Sequence, residues 1–251
     1  GWKSYLENPA PGNALIKKDN PEMTDDQLAY SVAKLKESGM IAGLLEPSDG
    51  RVLVGRQPAT LGDANARRLA FVFQAPTLMP WASVHANVRL PLDLAGVPRA
   101  EADARVPGAL KQVGLEKFAQ ALPRALSGGM QMRASIARAL ITQPQLLLMD
   151  EPFGALDEIT RHKLDAELLA LWAARKLTVV FVTHSIHEAV FLSTRVVMMA
   201  ARPGRVVEEV LIDEPYPRTA EFMVTPRFSR YAKQLQDSLL RASQANDEEL
   251  E

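Results

Sequence analysis

The chain has 251 residues, 47% apolar and 24% charged, which is enough for a buried core in one or two domains. Its net charge of −1 supplies no field to gather nucleic acid or an anionic membrane, and the lack of cysteine excludes disulfides, thiolate metal sites and cysteine nucleophiles. No stretch reaches the ~18 continuous apolar residues of a membrane span, and no secretory signal is visible.

Residues 1–40 differ in texture from the rest. A turn-rich opening, Asn8-Pro9-Ala10-Pro11-Gly12-Asn13, precedes Thr24 and Gln27, spaced as a capping box, with Asp25 and Asp26 suited to a helix start. Leu28, Val32 and Leu35 then recur at helical spacing up to Gly39. From Ile41 the pattern becomes α/β. Short strands are predicted at Arg51–Val54 and Leu69–Phe73. Residues 80–125 read as helical, broken by Pro91, Pro98, Pro107 and Pro123. A helix from Ser127 to about Ile141 leads into a buried strand Leu146–Met149, and helix 158–174 leads into a strand Thr178–Thr183. The runs Val179–Val182 and Val196–Ala201 both read as buried. Residues 187–193 read as helical, followed by a hairpin of Arg195–Ala201 and Arg205–Leu211 around Pro203-Gly204. Residues 214–251 read as a polar tail, helical from Ser229 to Ala242 and acidic at Asp247–Glu251. Strands alternating with helices predict a mainly parallel sheet covered on both faces.

The densest chemistry lies in Leu126-Ser127-Gly128-Gly129-Met130-Gln131. Two glycines behind a serine at a helix start expose backbone N–H groups where the helix dipole is positive, which suits a phosphate. Taken alone, Ser-Gly-Gly is also an ordinary N-cap with a turn. The strand Leu146–Met149 ends in Asp150-Glu151-Pro152, placing two carboxylates at the sheet's carboxyl edge, where open α/β sheets bind ligands. There Asp150 suits a hydrated Mg²⁺ and Glu151 suits an attacking water. Gly154-Ala155-Leu156-Asp157 follows at once. His184 and Gln74 each end an apolar strand; a lone histidine or glutamine there is more often structural.

In this order the motifs resemble the ABC ATPase family over residues 41 to about 213. Gln74 resembles its glutamine loop, residues 126–131 its signature motif, residues 146–151 its Mg²⁺-binding strand and catalytic glutamate, Ala155-Leu156-Asp157 its dimer-contact loop, and His184 its switch histidine. Met130, where the family usually has glutamine, and Leu78-Met79-Pro80-Trp81 are similar to the nitrate, sulfonate and taurine importer branch; Trp81 equally suits core packing.

The resemblance implies an α/β fold of the P-loop NTPase type, with a helical subdomain at about 80–140. It implies ATP and Mg²⁺ as cofactors and a two-subunit ATPase. Glu151, His184 and Gln74 would be catalytic, and Asp150 with Gln74 would hold the metal. Ser127, Gly128, Gly129, Gln131 and Asp157 would contact nucleotide. Implied partners are transmembrane permease subunits, a second ABC ATPase subunit and, indirectly, a substrate-binding protein, with no nucleic acid. The expected location is the cytoplasmic face of the cell membrane, as a peripheral subunit importing a small anion, sulfonate or pyrimidine-type nutrient.

One part of the pattern is missing. No G-x-x-x-x-G-K-[ST] sequence occurs anywhere in the chain, and its expected position holds Lys34-Leu35-Lys36-Glu37-Ser38-Gly39-Met40. The first strands of the sheet and the aromatic that stacks on adenine are missing with it. Gly1-Trp2-Lys3-Ser4-Tyr5, Asn13–Lys17 and Asp19–Tyr30 instead resemble the C-terminal part of binding proteins for thiamine pyrimidine precursors. The expected alternative is therefore a degenerate, non-catalytic module or fusion fragment that cannot bind ATP alone.

Overall fold

The computed structural model describes residues 53–54, 57–58, 69–175, 177–201 and 204–248. The helix predicted from Thr24 to Ser38, and with it Lys34 and Lys36, lies outside these residues. Two short strands, β1 (Leu53–Val54) and β2 (Gln57–Pro58), pair antiparallel. The functional part of the fold is a parallel sheet in the order β3 (Leu69–Val72), β4 (Leu146–Asp150), β5 (Thr178–Val182).

Register explains the sheet's role. Val72 pairs with Met149, and Asp150 pairs with Val182, so the three strands end together. Gln74, Glu151 and His184 follow within two residues of those ends and arrive on one edge. β4 is the middle strand, and Leu146, Leu147, Leu148 and Met149 are all buried, as a four-residue apolar run demands.

Between β3 and β4 the chain makes α1 (Val84–Leu94), α2 (Arg99–Gln112) and α3 (Gly128–Leu140). Pro91 lies inside α1 and Pro107 inside α2; neither breaks its helix, contrary to the expected interruptions. An interior proline costs a helix about 3 kcal/mol. Here Val84, Val88 and Leu92 of α1 and Val106, Ala109 and Leu110 of α2 share one core with Ala134 and Ala137 of α3, and that burial outweighs it. A second core packs α3 and α4 (Glu158–Arg175) on β4, through Met132, Leu140, Leu147, Phe153, Leu164 and Leu168.

The third core joins α5 (Ile186–Leu192), the hairpin β6 (Arg195–Ala201) and β7 (Gly204–Leu211), α6 (Ala220–Met223) and α7 (Pro226–Glu248). The segment read as a polar tail is thus partly core. Phe222, Phe228 and Leu235 are buried there, an apolar stripe diluted in a polar composition. Arg218 is buried beside it and donates to the carbonyls of Val190, Phe191, Ser193, Ile212 and Glu214, satisfying the C-terminal end of α5.

Two strands read as buried are only partly so. Thr178 and Val180 of β5 and Val197 and Met199 of β6 are exposed. Among the described residues β5 is bonded on one side only, to β4, and the hairpin pairs only with itself.

Candidate functional site

Glu151 sits at the turn leaving β4 with φ +41°, a left-handed conformation that costs a non-glycine residue of order 1–3 kcal/mol. Its N–H donates to the Val182 carbonyl at 2.9 Å, and its own carbonyl accepts from Gly154 N–H at 3.1 Å. These bonds aim the carboxylate across the strand ends. Gln74 Nε2 donates to Glu151 Oε2 at 3.4 Å, and His184 Nδ1 lies 3.2 Å from the same oxygen. Gly154 lies beside this point: a Cβ there would stand 3.5 Å from both Gln74 Nε2 and Glu151 Oε2, an ordinary van der Waals contact. Three residues that each suit a structural role alone are therefore one constellation.

A carboxylate held between an amide donor and an imidazole can orient and polarise a water. Beside it stand Asp150 and the carboxamide of Gln74. Among the described residues no cluster of three or more histidine or acidic side chains could cage a metal. That donor set fits Mg²⁺, which takes one or two protein oxygens and completes its octahedron with phosphate oxygens and water. Asp150 and Gln74 would hold the ion, and it would neutralise phosphate charge. Among the described residues no glycine-rich cradle faces it for the phosphates.

A second feature is built at the start of α3. Ser127 caps the helix, its Oγ accepting from Met130 N–H at 3.3 Å. Gly128 and Gly129 follow with their amides in the first turn, where orphan donors and the dipole favour an anion. Gly128 packs on the loop after Glu151 and Gly129 on the first turn of α4. A Cβ on Gly129 would stand 2.9 Å from Thr160 Cγ2, and one on Gly128 would stand 3.4 Å from Leu156 Cδ2. Asp157 Oδ1 accepts from Thr160 N–H at 2.9 Å, and that bond leads the interactions holding its carboxyl below the usual range. Gln131 Nε2 donates to the carbonyls of Pro123 and Leu126 at 3.1 and 3.3 Å, bracing the approach to α3.

Trp81 is 77% exposed, so the core-packing reading is overturned. Its loop is held from below. Asn87 is fully buried, accepts from Met79 N–H and donates to the carbonyls of Met79, Ala82 and Ser83. Arg138 of α3 donates to the carbonyls of Pro76 and Thr77 and to Thr77 Oγ1, fixing Thr77 at φ +47°. Burial depresses the Arg138 pKa.

Sequence reasoning missed Asn87, Arg138, Arg161 and Glu188. One signal existed: Ser185-x-x-Glu188 has capping-box spacing, and Ser185 Oγ does accept from Glu188 N–H.

The family described as ABC transporter matches residues 38–154. An ATP-binding protein of Brucella abortus (strain 2308) is 47% identical over 188 residues, covering 75% of this chain and 71% of the relative. A taurine import ATP-binding protein, TauB, of Rhizobium johnstonii is 49% identical over 173 residues, covering 69% of this chain and 65% of the relative. A solved dimeric ATP-binding cassette, MJ0796, in a post-hydrolysis state with ADP and Pi, superposes with a TM-score of 0.61 at 33% identity, covering 72% of this chain and 82% of that one.

Proposed function

The chain belongs to the ABC transporter ATP-binding family, and on that premise we propose that it is the ATP-hydrolysing subunit of an importer for a small anion, sulfonate or pyrimidine-type nutrient. The observation that carries this reading is the convergence of Gln74 and His184 on Glu151 Oε2. Glu151 is the general base toward water, His184 holds and orients its carboxylate, and Asp150 with Gln74 holds Mg²⁺. Ser127, Gly128 and Gly129 face the nucleotide of a second ABC subunit, and Asp157 lies at that contact. Catalysis of this kind is positioning plus electrostatic stabilisation of a phosphoryl group passing to water. Permease subunits dock on the loop around Trp81, and a substrate-binding protein acts through them. The subunit works at the cytoplasmic face of the membrane. The taurine import relative supports the importer reading; among the described residues no helix is long and apolar enough to cross a membrane.

A second reading is favoured by one observation, the missing phosphate loop. In it the chain is a non-catalytic module: residues 41–213 supply only their signature face, residues 1–40 are a fused remnant of a binding protein, and residues 214–251 close the domain. A direct titration of the purified chain with Mg²⁺–ATP separates the two. Saturation in the low micromolar range, with turnover abolished by Glu151→Gln, supports the hydrolysing subunit. Absence of saturation up to about 1 mM, equivalent to only ~4 kcal/mol of binding, supports the module.

A further inference from the structure

The loop after Glu151 and the turn carrying His184 are joined by two side chains that no part of the proposed chemistry uses. Arg161, in the first turns of α4, donates through Nε to the Phe153 carbonyl at 3.3 Å and through Nη2 to the carbonyls of Gly154 and Leu156 at 3.4 and 3.0 Å. The planar guanidinium thus holds the loop from Phe153 to Leu156 as one piece. The same Nε also lies 3.7 Å from Glu188 Oε1, an ion-pair distance without a hydrogen bond. Glu188 is only 4% exposed. Its second oxygen accepts from Thr183 Oγ1, and Thr183 Oγ1 accepts from Ser185 N–H at 2.9 Å. His184 lies between those two residues.

We propose that Arg161 and Glu188 are positioning residues that couple the Ala155–Asp157 loop to His184, so that a partner subunit pressing on the loop re-aims the imidazole at Glu151. The physics is that of a buried charge with few alternatives. Removing one partner of a buried ion pair leaves the other desolvated and costs several kcal/mol, so neither group can move without the other. Glu188 is pinned more tightly because a second carboxylate, Asp165, is also buried one helical turn beyond Arg161. Only Glu188 forms an ion pair with Arg161, and burial together with Glu188 pushes Asp165 up to about 8. With Asp165 neutral, Arg161 has one anion to satisfy, and that anion touches the His184 turn. Loop displacement is then felt at Thr183 and Ser185 through contacts of under 4 Å at every step.

This rests on Glu151 and His184 being the catalytic pair, but its test needs no nucleotide, so failure of the ATP titration leaves it standing or falling by itself. The full chain is measured by amide hydrogen exchange and by the ring resonances of His184, assigned through His184→Gln. Three variants are compared: Arg161→Lys, which keeps the charge but loses the fork; Glu188→Gln, which keeps the shape; and Arg133→Ala, which breaks the Arg133–Glu167 contact between α3 and α4 as a control. The expected result is reciprocal. Arg161→Lys speeds exchange of Ser185 N–H at least tenfold and shifts the His184 ring signal. Glu188→Gln speeds exchange of Leu156 N–H, which is bonded to the Phe153 carbonyl at 3.1 Å, by a similar factor. The control does neither. Effects confined to each variant's own side overturn the proposal, as does a His184 shift equally produced by Arg133→Ala. If Glu188→Gln fails to fold, Arg161→Lys at Ser185 and His184 decides alone.

Discussion

Glu151 and His184 leave neighbouring parallel strands and meet at 3.2 Å, Oε2 to Nδ1, because Asp150 and Val182 are in register. In the proposed reading this pair would serve nucleotide held by the same chain, whereas Ser127 would serve nucleotide held by a second subunit. The two halves therefore respond differently to mutation in a mixed dimer with a complete ABC subunit. Ser127→Ala is expected to lower its ATP turnover, by roughly a hundredfold if the serine acts as one transition-state donor. Glu151→Gln is expected to leave turnover unchanged when this chain holds no nucleotide of its own. A steady-state phosphate-release assay on both variants checks this, and equal loss from both would place bound ATP in this chain as well.

Gly129 is expected to reject a methyl group. Alanine would gain about 0.5–1 kcal/mol of helix propensity, but its Cβ would meet Thr160 Cγ2 at 2.9 Å. Thr160 is tied by its own N–H to Asp157 and cannot yield freely, and overpacking costs about 1–3 kcal/mol. Gly129→Ala should lower the melting temperature, while Gly128→Ala, at 3.4 Å from the far end of Leu156, should leave it unchanged or slightly raised. Thermal denaturation of both variants provides the comparison.

Trp81 lies on a loop fixed by Asn87 and Arg138 yet is itself exposed. Replacing it by alanine should leave the fold's stability within about 0.5 kcal/mol. If it is the permease anchor, the same change should weaken association with the permease by about 2 kcal/mol, some thirtyfold. Asn87→Ala should do the reverse and destabilise the fold first, because it strands buried backbone groups. Binding and melting measured on the same variants distinguish the two effects.

Much of this site was legible in the sequence, and for identifiable reasons. Strand ends are marked by a change from apolar to polar, so Gln74, Asp150, Glu151 and His184 could be placed at an edge before any coordinate was known. Their mutual distances follow from strand register, which local sequence does not encode. Arg161 was invisible because its hydrogen-bond partners are backbone carbonyls, which carry no sequence signature, and Glu188 lies 27 residues away. Helices α1 and α2 ran through Pro91 and Pro107 because tertiary burial overrode a local penalty, and α7 joined the core because a stripe of one apolar residue per two turns is hard to see among charges.

Asp165 predicts a pH dependence. Burial and Glu188 keep its proton on in the fold until about pH 8, against an ordinary value of 3.8. Between those values the folded state binds the extra proton, so the contribution is full below about pH 4 and is lost as pH rises through about 8, at no more than ~1.4 kcal/mol per pH unit. Asp165→Asn removes the group's titration while keeping its shape. The variant should gain stability relative to the parent as pH is raised from about 6 to about 9. Chemical denaturation at both pH values tests it, and a constant difference would refute the assignment.

Among the described residues β5 is bonded on one side only, and that sets the last expectation. Val180 is 36% exposed in β5, Phe73 is exposed just after β3, and Val197 and Met199 are exposed in β6. Apolar surface left in water forfeits about 25 cal/mol per Å², so some 200 Å² of it amounts to about 5 kcal/mol, the lower end of a whole domain's stability. The chain alone should therefore melt low and self-associate, since an exposed apolar strand edge recruits another. Deleting residues 1–23 should change little if they are a fused remnant. Val180→Lys should raise the concentration at which self-association begins without lowering the melting temperature, because the lysine stem covers the flank while its charge opposes stacking. Sedimentation with calorimetry measures both quantities. A monodisperse monomer melting in one transition above about 60 °C would show that the flank is satisfied within the chain, and a large loss on deleting residues 1–23 would identify what satisfies it.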